Sequence, residues 1–256
     1  MTTKSMRDAY LDFIKRCLSG IFNEDPAYVV NRETQIYELQ YRADRRARGG
    51  DIPSTAMTMI GMQRLDQLQW CVETILADDV PGDLLEAGVW RGGASMFMKA
   101  VLSAYEDSQR CVWLADSFRG LPEVDLEKYP LDVEWQKAAG KIAVSSQVVR
   151  QNFRRYGLLD ERIRFLEGWF CDTLPSAPVE KIAVLRMDGD LYASTMDILD
   201  ALYPRVSVGG FVIVDDYEWK SCRTAVHDYR ERHGITERIH GGGAGAYWRV
   251  GERDDT

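Results

Sequence analysis

The chain has 256 residues, of which 45% are apolar and 28% charged, and this composition predicts a globular protein with one sizeable core. Its formal net charge of −8 makes the phosphate backbone of a nucleic acid an unfavourable partner. Its apolar runs are shorter than the roughly 18 residues that indicate a membrane-spanning helix. Its polar N-terminus lacks the apolar core of a signal peptide. We therefore expect a cytoplasmic protein without membrane insertion.

Two amphipathic helices are predicted ahead of the first buried strand. The first follows a capping-box Ser5 and continues to Gly20. Its apolar stripe consists of Met6, Tyr10, Phe13, Cys17 and Ile21. The second helix covers residues 57–79 and stops at Pro81. Because an amphipathic helix must bury its apolar face, we expect residues 1–80 to form a helical cap and to contribute to a homo-oligomer interface.

From residue 81 onward, short apolar runs alternate with helical patterns. The apolar runs predict strands at 84–87, 111–115, 163–166, 182–187 and 211–214. The patterns between them predict helices at 94–105, 146–156, 195–203 and 221–233. This alternation predicts an α/β fold for residues 81–256, with a doubly wound, mostly parallel, Rossmann-like sheet. Residues 235–239 and 247–250 flank a glycine-rich stretch and predict an antiparallel C-terminal hairpin.

The first predicted strand runs into a glycine-rich turn, residues 86–95 (EAGVWRGGAS), which opens a helix. Gly88 allows a tight turn, and Gly92 with Gly93 would let a ligand approach the backbone. The glycine spacing differs from the G-x-G-x-x-G of dinucleotide-binding proteins. The carboxylate of Glu86 suits the cationic S-adenosylmethionine better than a pyrophosphate. A glycine turn that serves only packing is the alternative interpretation.

Acidic residues follow three of the predicted strands, at the edge where parallel sheets bind their ligands. Asp116 follows the second strand, where a carboxylate can accept both hydroxyls of a ribose or can merely cap a helix. Asp188 follows the fourth strand, and Asp215 and Asp216 follow the fifth. If those strands are neighbours, three carboxylates face one gap, and like charges this close favour a hard cation such as Mg²⁺ between them. The alternative interpretation is that these carboxylates are simply exposed to solvent at the starts of loops.

Several longer segments of the chain match one family. They are 57–65 (MTMIGMQRL), 84–95 (LLEAGVWRGGAS), 112–120 (VWLADSFRG), 152–160 (NFRRYGLLD), 168–175 (GWFCDTLP), 184–192 (VLRMDGDLY) and 209–217 (GGFVIVDDY). Together they resemble the macrocin O-methyltransferase family over nearly the whole chain. The resemblance implies a class I, metal-dependent S-adenosylmethionine enzyme that methylates a sugar hydroxyl of a glycosylated natural product, such as a macrolide or aminocoumarin, in antibiotic biosynthesis.

The resemblance also implies roles for individual residues. The metal ligands would be Asp188, Asp215 and Asp216. The methyl donor would be held by the motif residues Glu86, Gly88, Val89, Trp90, Gly92, Asp116 and Ser117 and by the adenine-side loop with Gly168, Trp169, Phe170 and Asp172. Met59 and Arg64 would close over the donor as a lid, although packing explains Met59 nearly as well. The chain departs from the family pattern after His240 and in residues 121–144, where the acceptor pocket would be completed.

An aliphatic hydroxyl is a poor nucleophile and must be activated before it can accept a methyl group. A bound metal can do this, because it lowers the pKa of an oxygen that it coordinates. We therefore expect Asp188 to accept the hydroxyl proton, and we assign surface or packing roles to His227, His233 and His240. Two other function classes stay open from the sequence, a Rossmann-type NAD-dependent oxidoreductase and a non-catalytic nucleotide-binding protein. Retention of NAD would favour the first class, and failure to bind Mg²⁺ would favour the second.

Overall fold

The computed structural model describes residues 5–30, 37–140, 142–241 and 245–251, and two β-sheets lie within them. The smaller sheet is an antiparallel pair of β1 (Ala27–Val30) and β2 (Tyr37–Gln40), which the sequence did not predict. The larger sheet has seven strands, which are β3 (Asp83–Ala87), β4 (Val112–Asp116), β5 (Ile163–Glu167), β6 (Ile182–Met187), β7 (Val206–Val214), β8 (His240–Gly241) and β9 (Ala246–Arg249).

The larger sheet is mostly parallel, as predicted, and its strands stand in the order β5-β4-β3-β6-β7-β9-β8. Strand β3 pairs in parallel with β4 on one side and with β6 on the other, and β6 pairs in parallel with β7. Strand β9 runs antiparallel to both β7 and β8, which confirms the predicted antiparallel C-terminal strands. The strand order reverses between β3 and β6, so a crevice opens at their carboxyl ends, where such sheets bind ligands.

Helices cover both faces of this sheet, which confirms the doubly wound architecture. Their bounds are α1 (Met6–Leu18), α2 (Ala43–Arg48), α3 (Gly61–Ala77), α4 (Gly93–Ala104), α5 (Ser146–Arg155), α6 (Phe170–Thr173), α7 (Tyr192–Leu202) and α8 (Lys220–His233). Successive residues of a strand point to opposite faces. Leu84 and Val184 accordingly pack with α1, α3, α4 and α5, whereas Leu85 and Leu185 pack with α7 and α8.

The predicted start of the second helix at residue 57 is wrong, because α3 begins only at Gly61. Residues 57–60 form a loop that two neighbours hold in place. The N–H of Met57 donates to the carbonyl of Leu18 at the end of α1, 2.9 Å away, and the carbonyl of Met57 accepts the N–H of Gly93 at the start of α4, 3.1 Å away. Tertiary hydrogen bonds therefore keep this apolar, helix-compatible stretch out of the helix, beside the glycine-rich turn.

The first helix has the predicted period but buries a different face. Leu11, Ile14 and Leu18 pack into the core, whereas Met6 is 89% and Phe13 49% exposed. The side chain of Lys15 is buried on the inward face through its ion pair with Asp66 of α3. Both faces of this helix carry apolar residues, so the period alone could not show which face is buried. A lysine on the inward face made that face look exposed.

The predicted strand at residues 235–239 is also wrong. These residues follow the end of α8, where the N–H of Ile235 donates to the carbonyl of Arg230 and the Arg230 guanidinium holds the carbonyl of Glu237. The hairpin strand is instead the short β8, and residues 242–244 of the predicted turn lie outside the described residues. Strand β7 starts at Val206 rather than at 211, because Val206 pairs with Ile182 of β6 and because Gly209 and Gly210 pair with Val250 beyond β9. Among the described helices, none has the length and hydropathy of a membrane span.

Candidate functional site

A cavity of about 590 Å³ opens at the carboxyl ends of β3, β4, β6 and β7. The predicted site residues that line it are Met59, Arg64, Glu86, Gly88, Val89, Trp90, Asp116, Ser117, Trp169, Phe170, Asp188, Asp215 and Asp216. Gly92, Gly168 and Asp172 adjoin these residues in the chain but are not part of the lining. One crevice therefore collects the residues that the sequence predicted for a methyl donor and for a metal ion.

Gly88 lies where the tips of β3 and β6 meet. Its φ is +88°, a left-handed value that favours glycine, and a Cβ at this position would overlap the backbone carbonyl oxygen of Asp188. The two tips are held together because the N–H of Asp188 donates to the carbonyl of Ala87, 2.8 Å away. The predicted tight turn is present, and it brings the donor motif into direct contact with the first predicted metal ligand.

The next two glycines allow close packing around the start of α4. Gly92 caps the start of α4 with φ +87°, and a Cβ there would lie 2.8 Å from Val149 and 3.2 Å from Phe153 of α5. A Cβ on Gly93 would lie 2.5 Å from the carbonyl oxygen of Met57. Protein atoms lie close to both glycines, while Gly93 also lines the cavity, so the predicted approach of a ligand to this turn stays a prediction.

Asp116 joins the ends of β3 and β4. Its Oδ2 accepts the N–H of Val89 at 2.8 Å, and its Oδ1 accepts the N–H of Phe118 at 2.7 Å. A carboxylate oxygen has two lone pairs, so each oxygen retains one acceptor site for a ligand hydroxyl. Burial raises the pKa of Asp116 although these N–H groups favour its charged form. Ser117 beside it donates through Oγ to the carbonyl of Gly120 at 2.8 Å.

The adenine-side loop follows β5 next to Asp116. The N–H of Gly168 donates to the carbonyl of Asp116, 2.9 Å away, and the φ of +150° at Gly168 lets the chain turn there. Trp169 and Phe170 then line the cavity, and Phe170 also packs against the core on the α7 and α8 side of the sheet. Asp172 is exposed in the first turn of α6. The aromatic pair thus has one surface available to a ligand and another in the core.

Three carboxylates meet at the ends of β6 and β7, as the sequence predicted for neighbouring strands. Asp188, Asp215 and Asp216 each offer one oxygen, and these oxygens lie within 4.8 Å of one another. Burial, together with the neighbouring carboxylates, raises the pKa of Asp188 and raises that of Asp216 well above its ordinary value. A set of three carboxylates is the ligand chemistry that a hard divalent cation such as Mg²⁺ prefers. The residues present therefore fit the predicted metal.

Arg186, which the sequence reasoning passed over, ties this cluster to β3. It is 2% exposed on β6, and its Nη1 donates to Glu86 at 2.6 Å and to Asp188 at 2.9 Å, while its Nη2 donates to Asp215. A charged residue in an otherwise apolar strand was the available clue, since arginine is rarely buried without partners.

Glu86 lines the cavity and is also hydrogen-bonded within the protein. Its Oε1 accepts from Arg186 and its Oε2 accepts the hydroxyl of Ser95. Burial raises the pKa of Glu86 to about 7, although Arg186 counters this shift. Its carboxylate thus links Arg186 of β6 to Ser95 of α4, and its predicted contact with the methyl donor stays a prediction.

The two predicted lid residues both line the cavity. Met59 belongs to the loop before α3, and Arg64 belongs to the first turns of α3. The guanidinium of Arg64 reaches Asp215, which is 151 residues later in the chain, and forms an ion pair with its Oδ2. The N-terminal segment therefore contacts the acid cluster directly.

Described residues of the stretch 121–144, which the sequence analysis assigned to the acceptor pocket, line the cavity together with Glu218 and Trp219 after β7. Asp132 is fully buried and accepts the N–H groups of Tyr192 and Ala193 at the start of α7, 2.6 and 3.2 Å away. Trp135 meets Trp219 edge to face, with 5.2 Å between ring centroids. Sequence reasoning named the stretch 121–144 but missed these aromatic residues, because their partners come from other elements.

None of the three histidines lines this cavity among the described residues. His227 shares a 2.8 Å hydrogen bond with the hydroxyl of Tyr217, His233 packs on Tyr229, and His240 stacks on Tyr247. They have the surface and packing roles expected from the sequence.

Comparison with known proteins gives one consistent result. Residues 8–250 match the family model of macrocin-O-methyltransferase (TylF). The chain is 53% identical over 250 residues to 8-demethyl-8-(2,3-dimethoxy-alpha-L-rhamnosyl)-tetracenomycin-C 4'-O-methyltransferase of Streptomyces olivaceus, covering 96% of this chain and 94% of that one. It is 49% identical over 247 residues to mycinamicin III 3''-O-methyltransferase of Micromonospora griseorubida, covering 94% and 96%.

The solved structure of the O-methyltransferase NovP superposes with a TM-score of 0.89 at 47% identity, covering 96% of this chain and 100% of NovP. The oxidoreductase and the non-catalytic alternatives left open by the sequence are therefore wrong. The family match spans both the N-terminal helices and the sheet, and the resemblance inferred from the sequence motifs is confirmed. The chain belongs to the macrocin O-methyltransferase family and is an O-methyltransferase.

Proposed function

We propose that this O-methyltransferase transfers the methyl group of S-adenosylmethionine to a sugar hydroxyl of a glycosylated small molecule, with Mg²⁺ held by Asp188, Asp215 and Asp216. One observation carries the proposal. The turn at Gly88 and the carboxylate cluster touch at the tips of β3 and β6 and face the same cavity. A methyl donor and a cation-bound acceptor would therefore lie next to each other. The relatives named above act on sugars of tetracenomycin and mycinamicin, which supports a glycoside as acceptor.

The donor would extend along the strand ends from Trp169 to Gly88. Asp116 retains acceptor sites for the two ribose hydroxyls, and Trp169 with Phe170 offers an apolar surface for adenine. Val89 and Trp90 follow Gly88 on the cavity wall, and the left-handed φ of +47° at Trp90 turns the chain towards α4. The sulfonium would then stand at the Asp188 end of the cavity, where a methyl group can be passed on.

Asp188 would accept the proton of the acceptor hydroxyl. Its side chain is 27% exposed, in contrast to Asp215 at 7%, so it is the ligand with the most open surface towards a substrate. As the hydroxyl oxygen forms its bond to the methyl carbon, the carbon–sulfur bond breaks and the sulfonium becomes a neutral thioether. A divalent cation bound by the cluster would supply a Lewis acid that lowers the pKa of the acceptor hydroxyl. Arg186 would hold the carboxylates of β3, β6 and β7 in fixed positions relative to one another during the step.

We further propose that residues 1–80 act as a lid and oligomerisation segment on the methyltransferase domain of residues 81–256. Met59 and Arg64 line the cavity from this segment, which supports the lid. Met6, Tyr10 and Phe13 expose an apolar face of α1, which supports a homo-oligomer interface there. Light scattering of the full chain tests the second part, since a monomer at all concentrations contradicts it.

The activity is tested by incubating the protein with methyl-labelled S-adenosylmethionine, Mg²⁺ and a panel of deoxysugar glycosides. We expect label to appear in a sugar methyl ether of at least one glycoside and to disappear when the metal is chelated. Aglycones that lack the sugar serve as the matched control. Label transfer to the aglycones instead of the glycosides contradicts the proposed acceptor, and undiminished transfer under chelation contradicts the metal.

A further inference from the structure

Arg64 holds a position in the cavity that its role as a lid residue does not explain. It is the single arginine or lysine among the described residues that line the cavity, where carboxylates predominate. Its Nη1 forms an ion pair with Oδ2 of Asp215. Its Nε is buried and has no hydrogen-bond partner in the described part of the chain. A buried donor without a partner is costly, so this arginine has donor capacity that its present contacts do not use.

The ion pair also competes with the proposed cation for the same oxygen. Asp215 has both oxygens engaged by arginines, Oδ1 by Arg186 and Oδ2 by Arg64. Each oxygen keeps a second lone pair, but a guanidinium and a divalent cation on the same carboxylate repel each other, so coordination of a cation by Asp215 favours withdrawal of one of these arginines. Arg186 is held by three carboxylates and is 2% exposed, whereas Arg64 has the single ion pair and belongs to the N-terminal segment. Arg64 is therefore the arginine that withdraws from Asp215.

The chemistry of the donor identifies the next partner of Arg64. With ribose at Asp116 and the sulfonium near Asp188, the amino-acid end of S-adenosylmethionine would lie beyond the sulfonium, in the cavity that Arg64 lines beside Asp215. That end carries a carboxylate, which is unfavourable among other carboxylates unless a cation neutralises it. The Nε and one Nη of a guanidinium form the planar fork that binds a carboxylate through two hydrogen bonds.

We propose that Arg64 exchanges partners, leaving Asp215 for the carboxylate of the donor when a divalent cation binds, so that cation and donor bind with positive cooperativity. The inference rests on the proposed function, because it assumes both ligands. By linkage, the donor then raises the affinity for the cation by the same factor as the cation raises the affinity for the donor. Such coupling factors are typically about 5- to 150-fold.

The test is calorimetric titration of the full chain with Mg²⁺ in the presence and absence of S-adenosylhomocysteine, without acceptor and without turnover. For the wild type, we expect S-adenosylhomocysteine to raise Mg²⁺ affinity about tenfold. Arg64→Gln removes the competing cation, so it should bind Mg²⁺ about tenfold more tightly than the wild type without S-adenosylhomocysteine and gain little when it is added. Arg16→Gln removes the same charge from a surface pair on α1 and should behave as the wild type.

A second arm needs no variant and remains informative if Arg64→Gln does not fold. S-adenosylhomocysteine is replaced by its decarboxylated amine, which keeps every other group. We expect this ligand to leave the Mg²⁺ affinity of the wild type unchanged. Equal enhancement by both ligands, or unchanged coupling in a folded Arg64→Gln, overturns the exchange while leaving the metal site intact. Failure of the wild type to bind Mg²⁺ under any condition overturns the metal of the proposed function, and this inference with it.

Discussion

Gly88 and Asp188 are in contact at the point where the strand order of the sheet reverses. The backbone carbonyl of Asp188 occupies the position that a Cβ on Gly88 would take, and both residues face the same cavity. A single contact thus sets the distance between the turn proposed for the methyl donor and the carboxylates proposed for the cation. Any residue other than glycine at position 88 must push the two strand tips apart.

Gly88→Ala should therefore reduce both stability and donor binding. The left-handed φ costs a non-glycine residue about 1–2 kcal/mol, and the overlap with Asp188 adds about 1–3 kcal/mol of strain. Gly157→Ala is the matched control, since Gly157 has φ +68° but open space around its Cβ position, so it should show the backbone cost alone. Urea unfolding measures both variants, and equal losses of stability would show that the contact with Asp188 is not tight.

Asp116→Ala should weaken binding of S-adenosylhomocysteine at least tenfold. Hydrogen bonds to a charged group contribute about 1.5–3 kcal/mol each, and the variant loses the proposed pair to the ribose. Asp116→Asn keeps one acceptor oxygen and should fall between the wild type and the alanine variant. Calorimetry on folded protein measures all three, and unchanged affinity in Asp116→Ala contradicts the assignment of the ribose.

Sequence reasoning found the three clustered aspartates because each follows an apolar run, and parallel strands bring their carboxyl ends to one edge. It could not find Arg186, since the partners that allow an arginine to be buried, such as Glu86 100 residues away, become neighbours only in the folded sheet. The same limit explains why the wrong face of α1 was chosen. Sequence patterns give the period of a helix, whereas the ion pair that lets Lys15 face inward, with Asp66 of α3, depends on which helices meet.

Arg186→Met should destabilise the protein strongly although it keeps an unbranched side chain of similar length. Its removal leaves the carboxylates of Glu86, Asp188 and Asp215 facing one another, and loss of one partner of a buried ionic group costs about 3–5 kcal/mol. Urea unfolding measures the loss. Because added Mg²⁺ would supply positive charge to the same carboxylates, it should recover part of the stability, and a loss below about 1 kcal/mol contradicts the role of Arg186.

Asp25 should make stability depend on pH in the acid range. It is 2% exposed, and although burial raises its pKa, hydrogen bonds from Ser54, Thr55 and Ala56 lower the pKa more, so the net value lies below the ordinary one. The stabilisation that ionised Asp25 gives the folded protein is then fully present above the pKa of this residue in the unfolded chain, about 3.9. It is lost as pH falls through the lower pKa of Asp25 in the folded protein.

Asp25→Asn should therefore be less stable than the wild type at pH 6, and the difference should shrink as pH falls below about 4. Urea unfolding at a series of pH values measures this difference. Asp44→Asn, at an exposed carboxylate of α2, should differ little from the wild type throughout. A difference for Asp25→Asn that stays constant down to pH 3 contradicts the lowered pKa.

Asp188 should differ from its two neighbours when each is replaced by asparagine. Asparagine keeps an oxygen that can bind a cation but removes the charge and the capacity to accept a proton. Asp215→Asn and Asp216→Asn should weaken Mg²⁺ binding, so raising Mg²⁺ should restore much of their turnover. Asp188→Asn should stay slow by a factor of about 100 or more at saturating Mg²⁺, because a general base typically contributes about 10² to 10⁴ in rate.

Turnover is measured against Mg²⁺ concentration for the three variants and the wild type, with the best glycoside of the panel as acceptor. The proton role of Asp188 is wrong if Asp188→Asn regains near-normal turnover at saturating Mg²⁺, since its deficit would then be one of metal binding alone. A rise of turnover with pH in the wild type that is absent from Asp188→Asn would support the role further, because only an ionised carboxylate can accept the proton.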